Sequence, residues 1–489
     1  MMHWPRHPAI YEINTWAWLH GLTEKAQRRV TLGSVPTEAW DELASYGCDA
    51  VWLMGVWERS PAGIAISLRN DSLVGEFRRV LPDFSAQDNV GSAYCIRDYR
   101  VDAHLGGPEG LAQARTQLAE RGIRLILDFV PNHVAPDHLW AAKHPEYFIQ
   151  GGARELTERP GDFIKVGDHI LACGRDPYFP PWQDVLQLNA FSPNLRKAAI
   201  ETVLSIAAQC DGMRCDMAML LLNAVFERTW SERAGPRPQT EYWREVIGIV
   251  KQRYPDVLFI AEAYWDLEWE LQQHGFDFCY DKRLYDRLEH ANAEAVRLHL
   301  CAESGYQERL VRFIENHDEP RAAATFSAAK ARAAAVAAST LQGAVLFHEG
   351  QFEGRRVRLP VFLRRHPKEP VDGRLLEFYK KLLSVLHRSG VRAGQWQLCE
   401  RTGWPDSQSY LNLVAWRWTH KDSCHLIVVN LSDQPSQGRI WIPAPAVHGG
   451  TLRMVDELSG MVYERNGVDI RDAGLYVDLE PWAYHVLKF

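Results

Sequence analysis

At 489 residues the chain has room for two to four domains of roughly 100 to 200 residues and for a full buried core, which excludes a peptide or a lone binding module. Charged residues make up 24% and the formal net charge is −7, so no basic surplus points to nucleic acid or an anionic membrane; 46% hydrophobic residues match ordinary soluble globular composition. No run approaches the ~18 consecutive apolar residues of a membrane-spanning helix.

In chain order, the start Met1-Met2-His3-Trp4-Pro5-Arg6-His7-Pro8 lacks the apolar core of a secretory leader, so a cytoplasmic location is expected. Short apolar, β-rich runs then alternate with helical stretches of mixed charge, the rhythm of a parallel sheet wrapped by helices. Eight runs stand out: Ala9 to Ile13, Ala50 to Met54, Arg124 to Phe129, Gly212 to Cys215, Leu258 to Ala261, Phe276 to Cys279, Val311 to Ile314 and Ala344 to Phe347. Eight strands at this spacing predict a (β/α)8 TIM barrel with insertions rather than an open doubly wound sheet. Ala322 to Ala338 is rich enough in alanine to read as one helix.

Two stretches break the rhythm. Between the third and fourth runs the sequence is rich in Gly, Pro and aromatics, including Asp176-Pro177-Tyr178-Phe179-Pro180-Pro181-Trp182, which predicts a small subdomain inserted at the barrel mouth. Past about Arg392 the helical pattern stops, and alternating runs at Leu411 to Trp418, His425 to Leu431, Arg439 to Ile442, Leu475 to Leu479 and Ala483 to Leu487 predict an antiparallel β-sandwich. The expected organisation is therefore a catalytic barrel over 1–133 and 189–391, an insertion over 134–188, and a C-terminal all-β domain over 392–489. Nine cysteines lie scattered singly, with no Cys-x-x-Cys pair, so neither a disulfide framework nor a zinc site is expected.

Catalytic groups of such barrels sit at the C-terminal ends of the strands. There the third run continues as Asp128-Phe129-Val130-Pro131-Asn132-His133, the fourth gives Gly212-Met213-Arg214-Cys215-Asp216, the fifth Phe259-Ile260-Ala261-Glu262, and the seventh leads into Glu315-Asn316-His317-Asp318. Residues two apart on a strand point to the same side, so the Arg214 guanidinium keeps Asp216 ionised, as a nucleophile must be. Glu262 ends an apolar strand and is crowded by other carboxylates, which raises its pKa and suits it to donate a proton. Two carboxyls with opposed environments are what glycosidic cleavage requires, and at a separation of about 5 Å the reaction proceeds with retention through a covalent glycosyl-enzyme.

These four blocks, in this order, resemble the α-amylase family, glycoside hydrolase family thirteen, and the resemblance extends over the whole architecture of barrel, insertion and C-terminal β domain. It implies that Asp216 is the nucleophile, Glu262 the general acid/base, and Asp318 the carboxylate that grips sugar hydroxyls in the transition state. It also implies that Arg214 holds Asp216, that Asp128, His133 and His317 bind the ring at the cleavage subsite, and that Tyr94, in Ala93-Tyr94-Cys95-Ile96-Arg97-Asp98-Tyr99, stacks on that sugar. The segment Leu346-Phe347-His348-Glu349-Gly350-Gln351 is similar to the family's sequence around the eighth strand.

The pattern departs in two places. Where polysaccharide-cutting members carry Lys-His after the nucleophile, this chain has Met219 and Leu220, which argues against starch-type contacts there. The family's structural calcium, held with the help of the residue at Asn132, is not favoured, because Gln187-Leu188-Asn189 lacks the family-like Asp before Leu-Asn and the insertion's Asp162, Asp168, Asp176 and Asp184 form no regular ligand loop. No other cofactor is expected.

Trp16, Trp18, Trp57 and Trp265 follow the first, second and fifth strands and are candidates to face sugar rings, although buried tryptophan is common. Past the eighth strand, Arg355, Arg356, Arg358, Arg364, Arg365 and Lys368 place six cations where barrels often bind phosphate, amid Glu349, Glu353, Glu369 and Asp372. The expected function is a retaining hydrolase or transglycosylase acting on α-linked glucosides or short α-glucans. A phosphorylase or sugar-phosphate-using transferase with the same carboxylates, and an inactive carbohydrate-binding scaffold, are the alternatives. The expected partner is an oligosaccharide or α-glucoside, with neither nucleic acid nor membrane, and the sequence carries no signature of an oligomeric state.

Overall fold

A computed structural model describes residues 4–421, 423–442 and 450–489. Eight parallel strands close into a barrel: β1 (Ala9–Asn14), β2 (Ala50–Met54), β3 (Arg124–Phe129), β4 (Gly212–Cys215), β5 (Leu258–Ala261), β6 (Phe278–Tyr280), β7 (Leu310–Arg312) and β8 (Ala344–His348). Each strand pairs with its sequence neighbour around the ring. Nearly every strand residue is buried, because helices cover the outside and side chains fill the inside, so the runs read as continuous apolar segments rather than alternating ones.

The helices begin where polar side chains can satisfy free backbone N–H groups. Asn14, Ser192, Asp281 and Asp372 each cap the helix that follows, and Pro193 occupies the first turn of Pro193–Ala207. The alanine-rich stretch is not one helix. It divides into Ala322–Thr325 and Ala328–Thr340, because the Ser327 hydroxyl accepts the Lys330 N–H and opens a new helix there. The sixth and seventh strands are also displaced from the expected Phe276 to Cys279 and Val311 to Ile314. Asp277, expected within the sixth strand, instead pairs with Lys251 and accepts the Phe259 N–H.

After β3 the chain builds a four-stranded antiparallel sheet in the order His133–Val134, Trp182–Gln187, His169–Gly174, Phe163–Val166. Val134, Phe148, Leu171, Leu186 and Leu188 form its small core. The C-terminal region holds a six-stranded and a three-stranded antiparallel sheet. Inward residues of both, among them Leu413, Leu426, Val428, Ile440, Leu475 and Val477, share one apolar core, as in a sandwich.

Contacts group the chain into two units. One contains Ile10–Tyr280 with Val357–Lys368, and the other Asp281–Arg356 with Glu369–Phe489. Within the second, strand Leu413–His420 is tied to helix Ala328–Thr340: the indole N–H groups of Trp416 and Trp418 both donate to the Thr340 carbonyl, at 3.1 and 2.7 Å. That carbonyl lies in the last helical turn, where it has no partner within the helix. Among the described residues, no helix is long and apolar enough to cross a membrane.

Candidate active site

In the first unit, the register of the parallel strands sets Arg214 beside Asp128 on β3 and beside Ile260 on β5, and carries the chain on to Asp216 and Glu262 just past the strand ends. Arg214, which is buried, points Nη1 at Asp216 Oδ1 (2.6 Å) and Nη2 at Glu262 Oε2 (2.7 Å). One planar cation thus touches both carboxylates. Asp128 Oδ1 lies 4.0 Å from Nη1. The rings of Tyr94, Trp52 and Tyr280 surround the guanidinium, with centroids 5.1, 5.3 and 5.7 Å from its central carbon. Burial alone would lower the arginine's pKa, but the charges of Glu262 and Asp216 and the tyrosine oxygens outweigh it and hold the group above the ordinary arginine value.

Glu262 shares the Arg214 guanidinium with Asp216, and its oxygens accept from the Met217 N–H (Oε2, 2.6 Å) and the Tyr264 hydroxyl (Oε1, 2.8 Å). Met217 reaches it from a left-handed backbone conformation (φ 42°) directly after Asp216.

Asp128 is held more tightly than a ligand-facing residue need be. Trp52 Nε1 (3.2 Å) donates to one carboxylate oxygen and the Gly55 N–H (2.9 Å) to the other, while Trp57 Nε1 donates to its backbone carbonyl (2.8 Å). Gly55 sits at φ 75°, and a Cβ there would meet Arg59 Nη2 at 2.5 Å, so glycine is required. Trp57 is therefore a structural donor rather than a face for sugar.

His133 is buried and hydrogen bonds the Tyr94 backbone, and burial lowers its pKa to about 3. It adjoins the junction between barrel and insertion, where Gln187 Nε2 lies 2.9 Å from Asn132 Oδ1, 3.0 Å from Asn132 O and 2.9 Å from Leu188 O. The Gln187 amide oxygen in turn accepts from Asn132 Nδ2 (3.2 Å). An amide donor already fills the point where these oxygens converge, and a donor repels the hard cation that an all-oxygen cage would hold. The residues present do not fit calcium. No group of three or more His, Cys, Asp or Glu arranged for a metal occurs among the described residues.

In the second unit, His317 and Asp318 follow β7. His317 is buried with Nε2 2.9 Å from Asp318 Oδ2, and the Asp318 side chain is 42% exposed. Asn316 Oδ1 accepts the N–H groups of Asp318 and Glu319 (both 2.9 Å) and so fixes the turn. Glu315 is fully buried against Arg321 (2.7 Å) and His348 (3.3 Å). Burial would raise its pKa, but these partners hold it below the ordinary value.

Two further expectations are resolved by the contacts. Met219 and Leu220 are buried in the turn Ala218–Leu221, as core residues. The arginines past β8 are matched: Arg355 with Glu349, Arg356 with the Ala323 carbonyl and, through its N–H, Glu369, Arg358 with Glu76, and Arg364 and Arg365 with Asp88. This is the arrangement of an ion-paired loop, not of a phosphate cradle.

The family description "Alpha amylase, catalytic domain" matches residues 37–416, most of the chain. The chain belongs to the α-amylase family. A relative in that family, "Alpha-amylase MalA" of Haloarcula japonica, is 25% identical over 94% of this chain and 59% of its own length, so the chain spans about three-fifths of that protein. An "Alpha-1,4-glucan:maltose-1-phosphate maltosyltransferase" of Rhodospirillum rubrum is 28% identical over 39% of this chain and 25% of its own. Among solved structures, a "noncanonic maltogenic alpha-amylase AmyB from Thermotoga neapolitana" shares the fold with a TM-score of 0.69 at 18% identity, over 99% of both chains.

Proposed function

We propose that this α-amylase-family chain is a retaining enzyme acting on α-linked glucosides or short α-glucans by double displacement. Asp216 attacks the anomeric carbon while Glu262 protonates the leaving oxygen, and Glu262 then takes the proton of the water or sugar hydroxyl that breaks the glycosyl–Asp216 ester. The observation that carries this reading is the sharing of Arg214, which binds both carboxylates in one buried, aromatic-walled site. Tyr94 supplies a ring for the sugar face. Asp128 and His133 support the same wall. His317 and Asp318 take the hydroxyl contacts that the family pattern assigns to them. Hydrolysis is supported by the amylase relative and transfer by the maltosyltransferase relatives. All nine cysteines are free thiols, eight of them buried, which fits a reducing, cytoplasmic location.

The test is Asp216→Asn, with maltose, malto-oligosaccharides, isomaltose, sucrose and trehalose as substrates. Turnover of every substrate that the parent cleaves is lost, with the melting transition retained. A variant keeping most of its rate would refute the assignment.

A further inference from the structure

The two oxygens of Glu262 are held in different ways. Oε2 accepts the Met217 N–H at 2.6 Å and lies 2.7 Å from Arg214 Nη2. Met217 presents that N–H from a left-handed conformation, φ 42°, which is disfavoured for a residue with a Cβ and persists where the surroundings fix it. Here they do. The next N–H, of Ala218, donates to the Glu262 carbonyl (3.1 Å), the Glu262 N–H donates to the Cys215 carbonyl (3.0 Å), and Trp243 Nε1 donates to the Ala218 carbonyl (2.7 Å). Oε2 is thus an anchor. An oxygen that faces an amide N–H and a guanidinium is a poor seat for a proton, whose hydrogen would point at those donors.

Oε1 meets a group of another kind, the Tyr264 hydroxyl at 2.8 Å. A phenolic hydroxyl both donates and accepts, whereas Arg214 and the Met217 amide only donate. Of these three partners, Tyr264 is the one that suits both states of the carboxyl. It can accept from Oε1–H when Glu262 is protonated and donate to Oε1 when Glu262 is charged.

We propose that Glu262 exchanges its proton through Oε1, and that Tyr264 is a positioning residue whose hydroxyl reverses its hydrogen bond as that proton leaves and returns. This rests on the double-displacement reading. In the first step the Oε1–H bond breaks and the proton joins the leaving oxygen, while the anomeric carbon parts from that oxygen and bonds to Asp216. Tyr264 keeps its own proton and turns it toward Oε1. In the second step the proton of water or of a sugar hydroxyl passes to Oε1, and the Tyr264 hydrogen turns away. A hydrogen bond to an ion is stronger than one to a neutral group, so the tyrosine grips Glu262 hardest as its charge develops.

The other charged or titratable groups around the shared Arg214 guanidinium are Asp216, Asp128, Tyr94 and Tyr280. Burial, with the charges of Glu12 and Glu262, holds the Tyr280 phenol well above the ordinary tyrosine value. Tyr264→Phe changes none of these groups, keeps the ring and removes the hydroxyl alone.

The experiment follows kcat/KM against pH for the parent and Tyr264→Phe, on the malto-oligosaccharide that the parent cleaves fastest and on 2,4-dinitrophenyl α-glucoside, whose leaving group needs no proton. Losing a donor to the charged form raises the pKa of Glu262. On the oligosaccharide, the alkaline limb, where Glu262 loses its proton, is expected to move up by about one pH unit, a tenfold change in proton affinity. The plateau falls about tenfold, because the remaining acid is weaker and its developing charge lacks a donor. On the dinitrophenyl glucoside kcat/KM stays near the parent's, and the melting temperature is unchanged. An alkaline limb at the parent's pH, or an equal loss on both substrates, would overturn the proposal, since a merely structural role for the ring predicts both. Glu262→Ala, given the dinitrophenyl glucoside and azide, should form α-glucosyl azide. A Glu262→Ala variant that forms none and keeps the parent's rate on the oligosaccharide would instead refute the double-displacement reading itself.

Discussion

Arg214 faces two carboxylates through two different nitrogens, and each half of the proposed double displacement would move negative charge from one of them to the other. In that proposal Asp216 loses its charge on becoming an ester, and Glu262, having given up its proton, gains one. The cation between them need not move, which is the preorganised kind of electrostatic support. A lysine would have to reach both carboxylates from a single nitrogen, whereas the planar guanidinium spans them with two. The strand ends made Asp216, Glu262 and Arg214 legible in the sequence, because their spacing follows from strand geometry alone. The donors around them were not legible. Trp52 and Gly55 reach Asp128 from a neighbouring strand, and only the register reveals it. Tyr264 could have been found, since it lies two residues past Glu262. Gln187 was visible as a departure, but its amide reaching three backbone and side-chain oxygens was not. For that residue we expect Gln187→Glu to place an unpaired buried charge among those oxygens and cost about 3–5 kcal/mol in denaturant unfolding, with added calcium restoring part of it. The parent should melt at the same temperature with and without chelator, and a drop on chelation would contradict the amide's role.

Elements were predicted best where they are buried on both faces. β2, β3, β4 and β5 begin and end where their runs do, because every position in them is buried, the charged Arg124, Asp128 and Arg214 included. Strands with one face in water left a weaker trace: Gln395–Leu398 and Val462–Asn466 are largely polar and partly exposed, and no run marked them. The split of the alanine-rich stretch depends on one serine, which composition alone does not weigh. The clearest energetic link between elements is the Thr340 carbonyl with its two indole donors. Trp416→Phe or Trp418→Phe keeps a buried ring and leaves one donor, at a cost of about 1 kcal/mol each. The double variant strands the carbonyl and should cost more than the sum of the two. Urea unfolding of the three variants measures this, and a double variant no worse than either single one would show that the carbonyl finds another partner.

For the molecule as a whole, acid stability follows from histidines that fold neutral. Burial lowers the pKa of His133 to about 3 and of His138 to about 4, and each has a ring nitrogen next to a donor, Asn132 Nδ2 for His133 and the Trp140 N–H for His138. In the unfolded chain both take up protons below their ordinary value near 6.5. Stability is thus full above that value and falls as pH drops toward 4, by on the order of 1 kcal/mol per pH unit for each histidine. A melting temperature that held constant from pH 7 to pH 4.5 would contradict it. The hold of Trp416 and Trp418 on Thr340 also bears on chimeras with relatives. Exchanging only the residues after 391 would graft foreign partners onto a helix end that is matched to its own indoles. A recombinant that carries Asp281–Arg356 together with Glu369–Phe489 keeps that match, and should be the more soluble product of such a library.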